Sequence, residues 1–123
     1  MLTIYAPQIS TYGRIVAMCA EEASLPWQIV PTAADSPEHR QRHPFAKVPS
    51  IKIDEIELYE SVAICHYIDE VYNQSALTPS QTLARARQHQ WLSIANQYLF
   101  PTTEFGLIGP RILAPMQGQN IRH

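Results

Sequence analysis

The segments HPFAKVPSI at residues 43–51 and LYESVAICHYID at residues 58–69 carry the clearest structural signals in the chain. The first runs into two short segments, residues 49–53 and 56–59, in which apolar and polar side chains alternate. Only two residues separate these segments, which is the length that a tight hairpin requires. The sequence therefore predicts two antiparallel strands at this point.

The second stretch predicts a helix directly after the hairpin, over residues 61–73. Its apolar side chains Ile64, Ile68, Val71 and Tyr72 recur at helical spacing, so one face is suited to pack on a sheet. Ser61 has the small polar side chain that is typical of a helix cap.

Toward the amino end, strands and helices are predicted to alternate. The predicted elements are a strand over residues 2–6, a helix over 13–23, a strand over 28–32 and a short polar helix within 33–43. Ser10 or Thr11 caps the first helix. Pro31 lacks an amide hydrogen, which favours an edge position for the second strand.

The carboxyl side of the chain begins with a helix signal. Residues 78–81 read as a capping box with Pro79 at the first helical position, and the apolar stripe continues toward Pro101. The remainder has few periodic apolar residues and is expected to be partly irregular. The element order up to residue 77 predicts a four-stranded sheet with parallel and antiparallel neighbours, as in a thioredoxin-like α/β module.

Composition excludes several functional classes. The 123 residues carry a net charge of -2, so there is no basic excess with which to bind nucleic acid. No apolar run reaches the roughly 20 residues of a membrane helix, and the chain start has no secretory pattern, so a cytoplasmic protein without membrane contact is expected. Cys19 and Cys65 lack the spacing of a redox pair or zinc site and are interpreted as packing residues.

The two blocks, together with Ser10, Thr11, Tyr12 and Arg14 after the first strand, resemble the amino-terminal domain of soluble glutathione transferases, in particular the serine-type members. The similarity spans residues 1 to about 100. It implies a glutathione-binding domain over residues 1–77 and the beginning of an all-helical domain over residues 78–123. The family's chains normally continue further, which leaves open whether this chain is a fragment or a natural short form.

The resemblance also implies a set of glutathione contacts. In the family the bond before the proline at position 49 is cis, and the backbone of Val48 pairs with the cysteinyl part of glutathione. Ser61, at the start of a helix, would hold the γ-glutamyl carboxylate. Glu60 would accept from the ligand's ammonium group, and Lys47 would reach the glycyl end.

Ser10 is the predicted donor to the glutathione thiolate, because its spacing from Arg14 is similar to that of the serine-type members. Thr11 remains the alternative. Tyr5 lies within the first strand and Tyr12 follows Ser10, so neither has the natural place of a tyrosine-type donor. A serine before a helix is in general a cap, and the same hydroxyl could cap and catalyse.

The implied function is a glutathione transferase that conjugates glutathione to small apolar electrophiles as a homodimer. Glutathione is a co-substrate, and no metal or other cofactor is expected. The alternative is a glutathione-binding or protein-interaction module of the same fold without turnover. A thiol-disulfide oxidoreductase is disfavoured because no cysteine stands at residues 10–12.

Two further groups of side chains have an ordinary and a functional interpretation. The polar cluster around His39 and His43 is expected to form a solvated helix face, although it could steer an anionic ligand. Trp91, Tyr98 and Phe100 could line an acceptor pocket or belong to the core.

Overall fold

The structure, a computed structural model, describes residues 1–118. The chain divides into two units, Met1–Thr78 and a second unit from Pro79 onward. The strands of the first unit are β1 (Leu2–Tyr5), β2 (Trp27–Val30), β3 (Ser50–Ile53) and β4 (Ile56–Tyr59). Its helices are α1 (Thr11–Glu22), α2 (Pro37–Arg42) and α3 (Ser61–Tyr72).

The four strands form one mixed sheet in the order β2-β1-β3-β4. β1 is parallel to β2 and antiparallel to β3, and β3 pairs with β4 as a hairpin. This arrangement confirms the predicted sheet, with β2 at an edge as the proline after it suggested. The predicted ends of the strands are wrong by one or two residues in β1, β2 and β3.

The core of the first unit lies between the sheet and the packed helices α1 and α3. Alternation along β1 buries Leu2 and Ile4 completely. The other large buried apolar side chains come from three elements and are Val16 of α1, Ile51 and Ile53 of β3, and Ile64 and Ile68 of α3. Burial of side chains of this size stabilises the fold by about 1.5–3 kcal/mol each.

Gly13 lets α1 approach the end of β1 closely. A Cβ atom at this position would lie 2.9 Å from the Cβ atom of Ala6 and 3.3 Å from the Oγ atom of Ser10. Both distances are shorter than ordinary van der Waals contacts. The missing side chain at residue 13 therefore sets where the amino end of α1 sits.

Asp69 binds the segment that follows α3, at the carboxyl end of the first unit. Its buried carboxylate accepts hydrogen bonds from Asn73 Nδ2 (2.9 Å), the backbone N–H of Leu77 (3.0 Å) and the hydroxyl of Thr78 (2.7 Å). Thr78 is thus a partner of Asp69, and the predicted helix start at residues 78–81 is wrong. The next helix, α4, begins at Thr82 with Gln81 as its cap residue.

The second unit is helical from Thr82 to Met116. α4 (Thr82–Ile94) continues into a π-helical segment (Ala95–Leu99), α5 (Phe100–Thr103), a second π-helical segment (Glu104–Leu113) and α6 (Ala114–Met116). The expected irregular tail is therefore wrong for residues up to 116. Pro101 lies in the first turn of α5 and Pro110 within a π-helical segment, where the shifted hydrogen-bond pattern tolerates a missing N–H. None of the helices among residues 1–118 is both long and apolar enough to span a bilayer.

Candidate functional site

The ends of β1, β3 and β4 meet along one edge of the sheet, the edge that runs across the strands where β1 ends. Tyr5 at the end of β1 pairs with Ser50 at the start of β3, and Ser50 pairs with Tyr59 at the end of β4. The loops that follow β1, precede β3 and follow β4 therefore leave the sheet side by side. These loops, with the first residue of α3, contain all six predicted site residues, which are Ser10, Lys47, Val48, Pro49, Glu60 and Ser61.

Ser10, one of the two predicted cap residues, is the N-cap of α1. Its backbone is extended, and its Oγ atom accepts a hydrogen bond from the backbone N–H of Gly13 at 3.1 Å. A hydroxyl that accepts one hydrogen bond still has its own hydrogen to donate. Ser10 can therefore cap the helix and donate to an anion beside the helix end, whereas Thr11 is an exposed residue within the helix.

The two tyrosines near Ser10 occupy different surroundings. The guanidinium of Arg42 lies 3.8 Å from the ring centroid of Tyr5, a cation–π contact that joins α2 to β1. Tyr12 is half-buried in the first turn of α1, and burial raises the pKa of its phenol.

The loop before β3 turns sharply. Ala46 has a positive φ of 53°, and its N–H donates to the carbonyl of His43 at 3.0 Å. The Val48–Pro49 bond is cis, which confirms that part of the prediction. Pro49 is buried, while the side chain of Lys47 is exposed.

The predicted solvated helix face is wrong for His39 of α2 and for His43, the residue that caps the end of α2. His39 is completely buried and His43 is 2% exposed, whereas Arg40 is exposed and Arg42 half-buried. The histidines are four residues apart and therefore lie on the same side of the helix. Both bind the loop before β3: His39 Nε2 donates to the carbonyl of Lys47 at 2.5 Å, and His43 Nδ1 accepts from the N–H of Phe45 at 3.2 Å.

His43 also faces the last residue of β4 and the residue that follows it. Its ring centroid lies 4.6 Å from that of Tyr59, and its Nε2 atom is 3.8 Å from Glu60 Oε1. Burial lowers the pKa of His43, although the carboxylate of Glu60 acts in the opposite direction. A neutral ring agrees with the role of Nδ1 as an acceptor.

Glu60, and not Ser61, is the N-cap residue of α3, which corrects the prediction that Ser61 caps this helix. Glu60 has a positive φ of 73° and its side chain makes no capping hydrogen bond. The carboxylate instead is 64% exposed at the sheet edge. Ser61 is the first helical residue, where backbone N–H groups have no partner within the helix and the helix dipole favours an anion.

The structure brings Cys19 and Cys65 together, which their separation in sequence did not indicate. Cys19 Sγ donates to the carbonyl of Cys65 at 3.5 Å across the packed helices α1 and α3. The contact between the two thiols and burial raise the pKa of Cys65. Both side chains fill the space between the helices, in agreement with the packing interpretation.

Comparison with known proteins points to one family. Residues 4–76 match the glutathione S-transferase, N-terminal domain. The probable maleylacetoacetate isomerase 1 of Drosophila melanogaster is 35% identical over 95 residues, which make up 71% of this chain and 38% of the fly protein.

Solved structures agree in fold. Glutathione transferase F2 from Populus trichocarpa superposes with a TM-score of 0.81 at 28% identity, over 95% of this chain and 58% of that one. A glutathione S-transferase-I bound with lactoylglutathione superposes with a TM-score of 0.82 at 25% identity, over 98% of this chain and 60% of that one.

The chain spans about half the length of the curated relatives it matches. The family match alone extends over more than half of this chain, from β1 to the residues after α3. The thioredoxin-like mixed sheet found here is the fold of the solved glutathione transferases. The chain belongs to the glutathione S-transferase family.

Proposed function

We propose that this chain binds glutathione at the sheet edge where β1 and β4 end and β3 begins, and that it activates the thiol for conjugation to small electrophiles. The observation that carries the proposal is the register of the three strands, because it places the loops with Ser10, Val48 and Glu60 side by side. A tripeptide needs contacts along its whole length, and three adjacent loops supply them.

Each part of glutathione has a partner of suitable chemistry at this edge. The backbone of Val48 pairs with the cysteinyl part in the manner of an added strand. The hydroxyl of Ser61 and the amino end of α3 hold the γ-glutamyl carboxylate, and the exposed carboxylate of Glu60 accepts from the ammonium group. Lys47 supplies a positive charge for the glycyl carboxylate.

Ser10 supplies the activation. A free thiol has a pKa near 8.5, so only a few per cent is thiolate at neutral pH. A hydroxyl donor beside the amino end of α1 favours the charged form. The reaction then needs glutathione as co-substrate, and the proposal includes no other cofactor.

Calorimetry with glutathione tests the binding site. We expect Ser61→Ala to weaken binding roughly 10-fold or more, since a hydrogen bond to a charged group contributes about 1.5–3 kcal/mol. Ser24→Ala is the matched control, because Ser24 is exposed and precedes β2 at the opposite edge of the sheet. Absence of heat and of a thermal shift for the parent chain at millimolar glutathione would overturn the proposal.

A conjugation assay separates the transferase from a binding module without turnover. The assay follows glutathione attack on a chlorinated nitrobenzene, and the isomerase reaction named for the fly relative is the second assay. Binding without turnover in either assay favours the non-catalytic alternative.

We further propose that the electrophile is small and apolar, and that the protein is a cytoplasmic homodimer.

A further inference from the structure

The loop that presents Val48 is held by a buried side chain on α2. His39 is completely buried, and its Nε2 atom lies 2.5 Å from the carbonyl oxygen of Lys47. A carbonyl only accepts hydrogen bonds, so Nε2 carries the hydrogen and His39 is the donor. Among residues 1–118, the other ring nitrogen, Nδ1, has no hydrogen-bond partner.

This hydrogen bond fixes the direction of a backbone donor. The cis bond found within the described part of the chain is Val48–Pro49, so the Lys47–Val48 peptide is trans and planar. In a trans peptide the C=O and the N–H point in opposite directions. Because His39 draws the carbonyl of Lys47 toward the buried side of α2, the N–H of Val48 faces away from it.

The N–H of Val48 is available for a ligand. In the part of the chain that the structure describes, it donates to no backbone acceptor. The loop just before it is already held by two other hydrogen bonds, Ala46 N–H to the His43 carbonyl and Phe45 N–H to His43 Nδ1. His39 completes this set at the last peptide before the proline.

We propose that His39 is a positioning residue for glutathione: it holds the Lys47 carbonyl inward so that the Val48 N–H is presented to the cysteinyl part of the ligand. This inference rests on the proposed glutathione site. His39 touches neither the ligand nor the thiol in this role. It acts before binding, by ordering the peptide that the ligand meets.

Two substitutions separate positioning from packing. His39→Phe keeps an aromatic ring of similar size and removes the donor, whereas His39→Gln loses the ring but keeps an amide N–H near the place of Nε2. A packing role predicts that Phe is tolerated better than Gln. Positioning predicts the reverse order in affinity for glutathione.

The test is calorimetry with glutathione on the full chain, with the melting temperature recorded for each variant. We expect His39→Phe to raise Kd roughly three- to tenfold, the range for loss of one neutral hydrogen bond, and His39→Gln to stay within about twofold of the parent. Trp27→Phe is the control, because it also removes an aromatic N–H donor, the one that Trp27 of β2 directs to Glu21 of α1. Equal Kd values for Phe, Gln and the parent would overturn the inference, as would weaker binding by Gln alone.

A measurement without ligand keeps this inference separate from the proposed function. In a nitrogen-15 NMR spectrum of the free chain, we expect a slowly exchanging His39 ring proton on Nε2. We also expect the Val48 amide resonance to shift in His39→Phe and to stay near its position in His39→Gln. If the parent binds no glutathione, the proposed function fails, and the NMR result alone decides the role of His39. An unchanged Val48 resonance in His39→Phe would contradict the role.

Discussion

In the proposed site the hydroxyl of Ser10 has two partners, the backbone N–H of Gly13 and the thiolate of glutathione. Ser10→Ala removes both interactions. We expect the helix cap to be lost at about 1 kcal/mol of folding stability. We also expect the pKa of the bound thiol to rise by roughly one to two units, from about 1.5–3 kcal/mol per charge-assisted bond and about 1.36 kcal/mol per unit.

Ultraviolet titration of the bound thiol measures this shift directly, because the thiolate absorbs and the thiol does not. Thr11→Ala is titrated beside it, because Thr11 is the alternative donor and its replacement leaves the Ser10 cap intact. A shift in Thr11→Ala without one in Ser10→Ala would make Thr11 the donor. No shift in either variant, with glutathione bound, favours the module without turnover.

Glu60 combines an unfavourable backbone conformation with an exposed carboxylate. A non-glycine residue at a φ of 73° is strained by about 1–3 kcal/mol. Glu60→Gly removes the strain and the carboxylate, whereas Glu60→Ala removes only the carboxylate. We expect both variants to bind glutathione more weakly to the same extent, with the Gly variant about 1 kcal/mol more stable than the Ala variant.

Denaturant unfolding and calorimetry on the two Glu60 variants check this prediction. Equal stabilities would show that the positive φ stores no strain. Parent-like affinity in both variants would remove Glu60 from the glutathione site.

Residue types at the site were predictable, but their local roles were only partly so. The capping role of Ser10 and the cis bond before Pro49 agree with the predictions. The buried histidines were missed because a polar six-residue helix has the same composition whether a loop covers it or solvent does. The spacing of four residues between His39 and His43 was the one sequence signal that both side chains lie on the same, buried side of the helix.

At the scale of elements, the contact between α1 and β1 depends on the absence of a side chain at residue 13. We expect Gly13→Ala to destabilise the fold by about 1–3 kcal/mol through overpacking, despite the better helix propensity of Ala. Gly106→Ala is the control, because a Cβ atom there meets nothing within 4 Å. We expect the control to be neutral or stabilising by up to about 1 kcal/mol. Denaturant midpoints compare the two, and a stabilised Gly13→Ala would refute the close approach.

The end of α3 is predicted to make folding sensitive to acid. Burial alone would raise the pKa of Asp69, but its hydrogen bonds from Thr78, Leu77 and Asn73 outweigh burial and lower it. The charged form is therefore favoured in the folded state. Its stabilising contribution is present above the unfolded pKa of about 3.9 and is lost as the pH falls through the lower folded value.

Asp69→Asn tests this dependence. We expect the variant to lose about 1–3 kcal/mol at neutral pH, because an amide cannot accept all three hydrogen bonds. Below about pH 4 its unfolding midpoint should fall less steeply than that of the parent. Asp35→Asn, at an exposed position before α2, is the control. Parallel pH profiles for the parent and Asp69→Asn would contradict the prediction.

Local sequence signals predicted which elements exist better than where they begin. Thr78 followed by Pro79 has the composition of a helix start. The hydroxyl of Thr78 is nevertheless used by Asp69, which lies nine residues earlier in the chain. This hydrogen bond exists only in the folded chain. The few residues around Thr78 therefore give no sign that its hydroxyl is used by Asp69 and not by a helix.

At the scale of the whole molecule, the second unit exposes large apolar side chains. Trp91 and Tyr98 are each 66% exposed and Phe105 is 76% exposed, so Trp91 and Tyr98 are not core residues. Surfaces of this kind favour association. We expect a dimer at micromolar concentration by light scattering, and a shift toward monomer in Trp91→Gln/Tyr98→Gln but not in Gln90→Ala. A monomer up to millimolar concentration would contradict this.

The hydrogen bond from His39 to residue 47 ends on a main-chain oxygen, which every amino acid possesses. The shape of the loop is therefore independent of the side chain carried at that position. Natural or laboratory variation at residue 47 can exchange the charge offered to a ligand without rebuilding the backbone around it. No point substitution at residue 47 removes this acceptor, so the residue can evolve while the loop keeps its shape.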